Sequence, residues 1–543
     1  MEGRYEEAAA VATIASLLAE HVALEVRSVD RVFVAGYVPR LQSEGLVVRF
    51  LLDRGFPIPS PAALGKIGQR YRDAIDRFAL RNRIAVVHFA KGDCKEDVAR
   101  PYLQAAEREG RFGVVMIGVA QEKLIGWKGY RQGGSDAHPH FCYRRMSAFV
   151  NHYYFYVRDP DWGPAFVKTV AYAPFPIWLC VNGHEWAKRQ AAKQGLEFVA
   201  LDNGFRATSD AAALAAICGS LSEHDVERFF ARWEARLPSP FTAEDRLRGY
   251  RYALSLRQLE ISDTRVFEPP AAGRAWFERV LVDQLTLGRP DQVSVVFDRR
   301  VSRRTPGRFH TQVIHAGVEP TIQAHYRHSK VKQYFKEQRA LRTETTINDP
   351  YDFGVGRLLS AENWSRLLEI GRQTNDRLLA HELAACDCMP DPETFTRLVS
   401  PSTLDGLPAP ALRFGDPRVM ALLSCLCSFG HVFAGLTNRS LRELMTALIP
   451  GYSAGQMTYD LRRLRGKGLI RRVPRSHRYE LTEQGRRIAV FTTKTYTRIL
   501  IPGLAELDPR LPDEITSRSD LARAWRAYER ALDTKIKQAA IAT

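Results

Sequence analysis

The sequence predicts an α+β protein, and three patterns along its 543 residues support that prediction. The first 130 residues alternate apolar β-branched runs with segments of helical periodicity, which indicates an N-terminal α/β region. Residues 149–202 and 293–348 alternate in character residue by residue, as strands with two unlike faces do, and the second stretch is strongly basic. Residues 437–487 combine two amphipathic helical stretches with two short alternating strands.

The N-terminal α/β domain is predicted to span residues 1–208. Its aromatic stretch, with "VNHYYFYVRD", "GPAFVKTVAY" and "PIWLCVNG", indicates an antiparallel meander that either continues the first sheet or builds a second one. A helix is expected after it, from Glu185 to Gln194. The other predicted strands are Val29 to Ala35, Ile84 to Phe89 and Arg111 to Val119, and the other helices are Pro61 to Leu80 and Glu96 to Glu109.

Changes in periodicity set the later boundaries. Residues 209–292 are predicted to be a mostly helical region, and residues 293–350 a basic antiparallel sheet separate from the first. A proline-rich connector is expected at 351–415 and a charged helical tail at 496–543. The strands expected in the basic region are Arg308 to Ala316, Thr321 to Lys336 and Arg339 to Asn348.

The charge balance favours a polyanionic partner. The formal net charge is +17 at pH 7, and each phosphate that Lys or Arg neutralises releases condensed counterions, which favours nucleic-acid binding. No apolar run reaches the roughly 20 residues of a spanning helix, and the N-terminus lacks a signal-peptide pattern. The sequence therefore predicts a cytoplasmic protein without a membrane partner.

Eight cysteines over this length are too sparse for a disulfide scaffold. Cys386 and Cys388 together with Cys425 and Cys427 could close a tetrahedral zinc site. The second pair, however, lies in the apolar run "ALLSCLC", where buried thiols are ordinary packing. We therefore predict reduced cysteines that carry no metal.

The stretch from Thr437 to Arg487 has the order of a helix-turn-helix followed by a hairpin. Thr437 to Ser440 offers capping groups before an amphipathic helix, which Pro450-Gly451 ends. Ser453 caps a second helix, whose apolar face carries Met457, Leu461 and Leu464. After "GKG" the pattern changes to two short strands, Leu469 to Val473 and His477 to Leu481, followed by "TEQG" opening another helix.

Within this stretch, "LRRLRGKGLIRRVPRSHRYELTEQGRR" resembles the winged helix-turn-helix domain of many bacterial DNA-binding regulators, so residues 416–495 are predicted to be a winged-helix DNA-binding domain. The resemblance implies that the second helix enters the major groove of double-stranded DNA while the wing meets phosphates. Basic residues outnumber acidic ones ten to three between Met457 and Arg487. The alternative is a winged helix that only packs domains or dimerises. The residues implied to bind DNA are Gln456, Thr458, Tyr459, Arg462, Arg463 and Arg465 on the helix, and Arg471, Arg472, Arg475 and His477 on the wing.

A candidate reaction site lies at the end of the basic region. The run from Arg299 to Arg342 holds eleven Lys or Arg against two acidic residues, and it is interleaved with aromatic residues. Strand alternation then places Arg342 and Glu344 on one face, opposite the strand that carries Tyr334 and Lys336. Phosphoryl transfer uses a carboxylate for a divalent ion, cations for the phosphate charge and a nucleophile. These four residues are therefore the predicted catalytic set, with Glu344 as ligand of Mg²⁺.

The segments "KQYFK" and "LRTE" are also similar to the strand pair of some rolling-circle replication initiators, in which Tyr-x-Lys precedes Arg-x-Glu. That resemblance implies Glu344 as a metal ligand and Tyr334 or another tyrosine as the attacking group. His138-Pro139-His140 has the spacing of that family's His-hydrophobe-His metal motif but lies in a Gly- and Ser-containing loop. The alternative for Arg342 and Glu344 is a sheet in which the two side chains merely form an ion pair.

Three further carboxylates are predicted at strand ends, where α/β folds place ligands: Glu122, Asp159 and Glu185, the last beside His184. Together they would suit a metal-dependent nuclease. Each has a plainer interpretation as a structural residue, and for Glu185 this is a helix N-terminal acid that the helix dipole favours.

The function predicted first is a DNA-binding protein of a mobile or replicating element, acting on a specific site as a magnesium-dependent endonuclease or replication initiator. Some 410 residues precede the winged-helix segment, more than a simple repressor needs. Two alternatives stay open: a non-enzymatic winged-helix transcriptional regulator, whose N-terminal part senses a ligand or protein, and an RNA-binding protein that uses the aromatic strands at 149–181.

Overall fold

We describe the protein from a computed structural model, which contains a large mixed sheet and many helices. Among the residues that the structure describes, no helix is both long enough and apolar enough to cross a membrane. The described residues are 18, 20–135, 139–287, 292–296, 319–384, 388, 392–404, 407–428, 431–501 and 520–541.

The first half of the chain alternates long strands with helices, and 3-10 turns lie at Pro39–Leu41 and, further on, at Pro350–Phe353. Its strands are β1 Val22–Tyr37, β2 Ala85–His88, β3 Gly113–Gly134, β4 Pro139–Asp159, β5 Gly163–Val170, β6 Ile177–Asn182, β7 Phe198–Leu201, β8 Gly204–Thr208 and β9 Ala253–Phe267. Its helices are α1 Glu44–Asp53, α2 Pro61–Arg81, α3 Lys95–Arg108, α4 Gly183–Lys193, α5 Ala211–Ser220, α6 Glu223–Arg236 and α7 Ala243–Leu247.

The second half begins with strands and ends with helices. Its strands are β10 Gln292–Val296, β11 Glu319–Tyr326, β12 Ser329–Lys336, β13 Ala340–Ile347, β14 Ser402–Leu404, β15 Leu407–Ala409, β16 Ile470–Arg472 and β17 Tyr479–Leu481. Its helices are α8 Pro270–Leu287, α9 Ala361–Ala384, α10 Pro392–Val399, α11 Pro417–Leu426, α12 His431–Ala434, α13 Asn438–Leu448, α14 Ala454–Gly466, α15 Glu483–Thr495, a π-helical turn at Tyr496–Leu500, and α16 Asp520–Ile541.

The chain forms two compact units. The first, which we call the sheet unit, comprises Val22–Pro270 and His325–Asn375. The second, which we call the helical unit, comprises the described residues within 1–21, 271–324 and 376–543.

The sheet unit is built around nine strands in the order β12-β13-β9-β1-β6-β5-β4-β3-β2. The pairings β12–β13, β13–β9, β9–β1, β1–β6, β6–β5, β5–β4 and β4–β3 are antiparallel, and β2 pairs with β3 in parallel. The aromatic meander therefore continues the first sheet, which was one of the two predicted alternatives. The separate second sheet predicted for 293–350 is wrong for β12 and β13, because β13 pairs along its whole length with β9.

The two faces of this sheet differ. On one face, apolar residues of β1, β6 and β9 pack against α2, α4, α5, α6 and the beginning of α9 to form the main core. The opposite face, which we call the polar face, carries Lys332, Glu344 and Ser262 in directly paired positions, and Asn182 opposite Arg31. Helix α3 covers part of the polar face through Ala99 and Ala106.

The prediction that residues 209–292 are mostly helical is wrong for Ala253–Phe267, which form strand β9. The strand lies between β1 and β13, and nearly all of its 15 residues are buried. Its apolar residues alternate at Leu254 and Leu256 and again at Leu259 and Ile261, but a register shift at Arg257 interrupts the period, and residues 262–265 are buried although they are polar. Because strands on both sides of the predicted boundaries at 208 and 292 pair with one another, these boundaries do not coincide with the two compact units.

Two smaller strand predictions also change. The strand expected from Arg111 to Val119 extends to Gly134, and Thr321 to Lys336 is two strands separated by a turn in which Arg327 has a φ of 55°. The prediction that Arg342 and Glu344 share one face of a strand is confirmed by the register of β13. Arg308 to Ala316, and with it the first half of the basic run, lies outside the described residues.

Candidate functional site

Arg342 is the centre of a buried polar cluster on the polar face. Its side chain has no solvent exposure, and it pairs with Asp30 at 2.8 Å through Nη2 and with Glu344 at 2.8 Å through Nε. Its other guanidinium nitrogen donates to the main-chain carbonyl of Asn203, in the β7–β8 turn. Two carboxylates and a carbonyl thus compensate a guanidinium that would be costly to bury alone.

Glu344 has two further partners from the neighbouring strand β12. The Nζ of Lys332 lies 2.5 Å from Oε2, and the hydroxyl of Tyr334 donates to Oε1 at 3.0 Å. Register explains these contacts, because Lys332 is directly opposite Glu344 and Tyr334 is directly opposite Arg342. We call the set Asp30, His184, Lys332, Tyr334, Arg342 and Glu344 the Arg342 cluster.

His184, in the first turn of α4, is the fully buried neutral member of this cluster. Burial, and after it the positive charge of Arg342, holds the pKa of His184 well below its ordinary value. Its Nε2 faces the guanidinium of Arg342 and lies 2.9 Å from the hydroxyl of Ser262. Because a guanidinium can only donate, Nε2 is the acceptor and the ring proton belongs on Nδ1.

We expect the neutral state of His184 to make stability fall below neutral pH. The unfolded imidazole titrates near 6.5 while the folded one stays neutral, so protons stabilise the unfolded chain as the pH drops through 6.5. Between pH 7.5 and 5.5 this group alone should remove about 1.4 kcal/mol from the free energy of unfolding. Denaturant titrations at the two pH values should show a smaller loss for His184→Gln; equal losses in both proteins would contradict the assignment.

Asp30 and Tyr334 are held in defined protonation states. Burial raises the pKa of Asp30, but Arg342 and hydrogen bonds outweigh it and the net shift is downward, so Asp30 is a carboxylate. Burial and the Glu344 carboxylate both raise the pKa of Tyr334, so its phenol remains a donor. Lys336, the fourth residue of the predicted catalytic set, pairs instead with Glu337 at 3.2 Å.

These contacts do not fit the predicted Mg²⁺ site at Glu344. Mg²⁺ requires carboxylate oxygens that face the ion and retained waters, whereas both oxygens of Glu344 are within ion-pair or hydrogen-bond distance of protein cations or a phenol. The contacts agree better with the alternative interpretation, in which Arg342 and Glu344 only form an ion pair, because the two side chains pair directly.

A second group with metal-ligand chemistry comprises His328, Asp349 and Asp352, whose candidate ligand atoms lie within 4.8 Å of one another. The group is already satisfied by protein partners. Asp352 accepts from the hydroxyl of Ser329 at 2.7 Å and from His328, and Asp349 forms a bidentate pair with Arg357. The described part of His138-Pro139-His140 begins β4, and His138 itself lies outside the described residues.

The three carboxylates predicted at strand ends are separated by the fold. Glu122 lies inside β3, where Lys95 and Lys168 pair with it; burial raises its pKa, but the hydrogen bond from Lys95 and the other partners lower it to about 2. Asp159 does end β4, but it is buried and pairs with Arg232. Glu185 lies in the first turn of α4 and pairs with Lys188.

In the helical unit, residues 437–487 form the elements that the sequence predicted. Capping boxes at Thr437 and Ser453 begin α13 and α14, and Gly451, with a φ of 76°, lies in the turn between them. Leu441 and Met445 of α13 share one core with the apolar face of α14. The hairpin β16–β17 follows, and Leu436 bridges to Tyr479 at its edge.

Most of the ten side chains predicted to meet DNA are exposed. Arg463 differs, because it is turned toward the carbonyls of Pro410 and Ala411. Arg471 forms a surface ion pair with Glu480 at 3.0 Å, and Arg472 donates to the carbonyl of Ser476. The exposed members are Gln456, Thr458, Tyr459, Arg462, Arg465, Arg471, Arg472, Arg475 and His477.

The described cysteines are free thiols. Cys425 is buried in α11, and Cys427, also buried, follows at the end of that helix and lies 3.6 Å from the carbonyl of Leu423. Cys386 lies outside the described residues, so the predicted absence of metal stays a prediction.

Sequence reasoning missed three residues around Arg342: Asp30, Asn203 and Ser262. Asp30 carried a usable signal, since it is an acid inside the β-branched run "VRSVDRVFV", where a buried strand requires that a charge be paired. Asn203 and Ser262 carried none.

No known protein family, curated protein or solved structure matches the chain. The functional argument therefore depends on the geometry of its own residues.

Proposed function

We propose that the protein binds double-stranded DNA at a specific sequence through residues 437–487, as a winged-helix domain. The observation that supports this most directly is an exposed stripe on α14. Thr458, Arg462 and Arg465 lie three or four residues apart and are exposed, while Met457, Leu461 and Leu464 are buried on the other side of the helix. A helix packed along one side and polar along the other suits entry into a major groove.

The charges of this surface support an anionic partner. Arg462 and Arg475 form no ion pair with a carboxylate among the described residues, and Arg475 lies at the tip of the hairpin. Acidic residues nearby are already engaged: Asp460 is buried and pairs with Arg418, and Glu480 pairs with Arg377 and Arg471. Arg462 and Arg475 are therefore available to phosphates and base edges.

The geometry favours the regulator form of this proposal over the nuclease form. A nuclease centred on Glu344 would need a carboxylate that can release its protein partners to a metal, and the partners of Glu344 are two cations and a phenol within the fold. The Arg342 cluster is then a structural element of the sheet unit. The association with a mobile or replicating element stays a prediction.

Selection from a random-sequence duplex library tests the proposal. The full chain is incubated with the library near physiological salt, and bound duplexes are recovered over several rounds and sequenced. We expect one enriched motif, bound at least a thousandfold more tightly than unrelated duplex, with weaker binding to double-stranded RNA and single-stranded DNA. Recovery of no motif, or equal affinity for duplex RNA of the same length, would refute site-specific DNA binding.

A further inference from the structure

A cleft lies on the polar face of the sheet unit, between α3 and strands β1, β9, β6, β5 and β4. Its volume is about 540 Å³, within the range of pockets that hold small organic ligands. One stripe of α3 forms a wall of the cleft and includes Glu96, Arg100 and Glu107. None of the residues lining the cleft belongs to the proposed DNA-binding segment, so the cleft is a separate candidate site.

The floor of the cleft has two rows of residues from neighbouring strands. The first, which we call the aromatic row, consists of Tyr156, Phe166, Cys180 and Phe33, each directly paired with the next. The second, which we call the polar row, lies two residues further along each strand and consists of Arg158, Pro164, Asn182 and Arg31. Two residues of a strand span about 7 Å, so an apolar strip and a polar strip run side by side at that separation.

The aromatic row offers flat apolar surface to a ligand. The rings of Tyr156 and Phe166 have centroids 5.9 Å apart, and those of Phe166 and Phe33 are only half-buried. Nucleobases stack favourably on such rings.

Arg158 supplies a buried cation at one end of the polar row, where its guanidinium lies 4.5 Å from the centroid of the Phe112 ring and has no carboxylate partner among the described residues. Its side chain is 8% exposed, and Nη1 donates to the carbonyl of Arg111 at 3.2 Å. Nε has no hydrogen-bond partner among the described residues, and none of them forms an ion pair with Arg158. A buried guanidinium without a counter-charge is costly, so an anion bound beside it would be stabilised.

The Arg342 cluster orders the middle of the polar row. Asn182 donates to the side chain of Asn203 at 2.9 Å, and Asn203 donates to Asp30 at 2.7 Å, which in turn pairs with Arg342. The same Asn182 accepts from the main-chain N–H of Glu185. This chain of contacts holds one edge of the cleft in a fixed geometry before any ligand binds, which lowers the entropic cost of binding.

We propose that this cleft binds a nucleoside monophosphate, with its base on the aromatic row and its phosphate at Arg158. The separation of the two rows suits the sugar that joins base and phosphate. One of the two carboxylates on the α3 wall, Glu96 or Glu107, can accept hydrogen bonds from the ribose hydroxyls, as acidic residues do in other nucleotide sites. The proposal assigns the sheet unit a ligand and does not depend on the DNA-binding function.

Isothermal titration calorimetry of the full chain tests this assignment. The probes are the four ribonucleoside 5′-monophosphates, the four nucleosides and inorganic phosphate. We expect at least one monophosphate to bind at least tenfold more tightly than its nucleoside and than phosphate alone. No binding of any monophosphate at millimolar concentration would overturn the proposal, and so would equal affinity for phosphate, which would indicate an anion site without base recognition.

Variants locate the site. Phe166→Leu, which keeps an apolar side chain but removes the ring, and Arg158→Gln should each weaken monophosphate binding at least tenfold. Because Arg158 is buried, its replacement can unfold the protein, so the affinity of Arg158→Gln is interpreted only if its thermal unfolding is cooperative. Phe166→Leu tests the site independently. The matched control is Arg77→Gln, an exposed arginine of α2, and it should bind as the wild type does. Unchanged affinity in Phe166→Leu would place the nucleotide elsewhere and overturn the assignment.

Discussion

Replacing Arg462 and Arg465 by Ala together should weaken binding to the selected DNA motif by one to three orders of magnitude while binding to unrelated duplex changes little. Both side chains lie on the exposed stripe of α14, and a side chain that reads a base edge contributes about 1–3 kcal/mol of discrimination. Replacing Arg472 and Arg475 of the hairpin should instead lower affinity for all duplexes alike. Fluorescence anisotropy with motif and scrambled duplexes measures both effects.

The salt dependence of binding further distinguishes the helix pair, Arg462 and Arg465, from the hairpin pair, Arg472 and Arg475. If Arg472 and Arg475 each neutralise one phosphate, their loss should reduce the slope of log affinity against log salt by about 0.9 per contact. The control is Arg77→Ala with Arg81→Ala on α2, which removes the same charge from an exposed helix outside the segment. If that control weakens binding as much as the α14 pair does, net charge rather than residues 437–487 determines the affinity, and the assignment is wrong.

Local pattern was sufficient for the helices and strands of residues 437–487. Capping residues, a glycine turn and 3.6-residue periodicity all act within a few residues, and the structure has α13, α14 and the hairpin where the sequence predicted them. Local pattern was not sufficient to predict the contacts of Arg463, which occupies a polar position of α14. That side chain bonds carbonyls more than 50 residues away in the sequence, at Pro410 and Ala411.

In the sheet unit, local pattern predicted the face on which residues lie but not the residues that surround them. Alternation correctly placed Arg342 and Glu344 on one face of β13, because the period of a strand is a local property. What surrounds them was not local: Asp30 is 312 residues from Arg342 in the sequence, and the alternation of β9, which separates their strands, is interrupted by a register shift at Arg257. The same two residues therefore suggest a reactive site in the sequence and form an internally compensated cluster in the fold.

Because the side chains of this cluster compensate one another, we expect the largest loss in the free energy of unfolding for Arg342→Met. The variant would leave Asp30 and Glu344 buried without their common cation, and breaking a buried pair in this way costs about 3–5 kcal/mol of the free energy of unfolding. Glu344→Gln should cost less, roughly 1–3 kcal/mol, because Arg342 keeps Asp30. The control Arg100→Met removes an arginine of a surface pair with Asp97, in which both side chains are more than half exposed, and should cost about 1 kcal/mol or less.

Urea titrations of the four proteins measure these costs, and nicking of supercoiled DNA with and without magnesium is followed on the same samples. A structural role predicts the order Arg342→Met, Glu344→Gln, Arg100→Met in lost stability and no magnesium-dependent nicking by the wild type. A catalytic role of Glu344 predicts instead that the wild type nicks DNA when magnesium is present. It also predicts that Glu344→Gln abolishes this nicking without changing the free energy of unfolding. That second outcome would mean that Glu344 leaves Lys332 and Tyr334 when DNA binds, and it would restore the nuclease hypothesis.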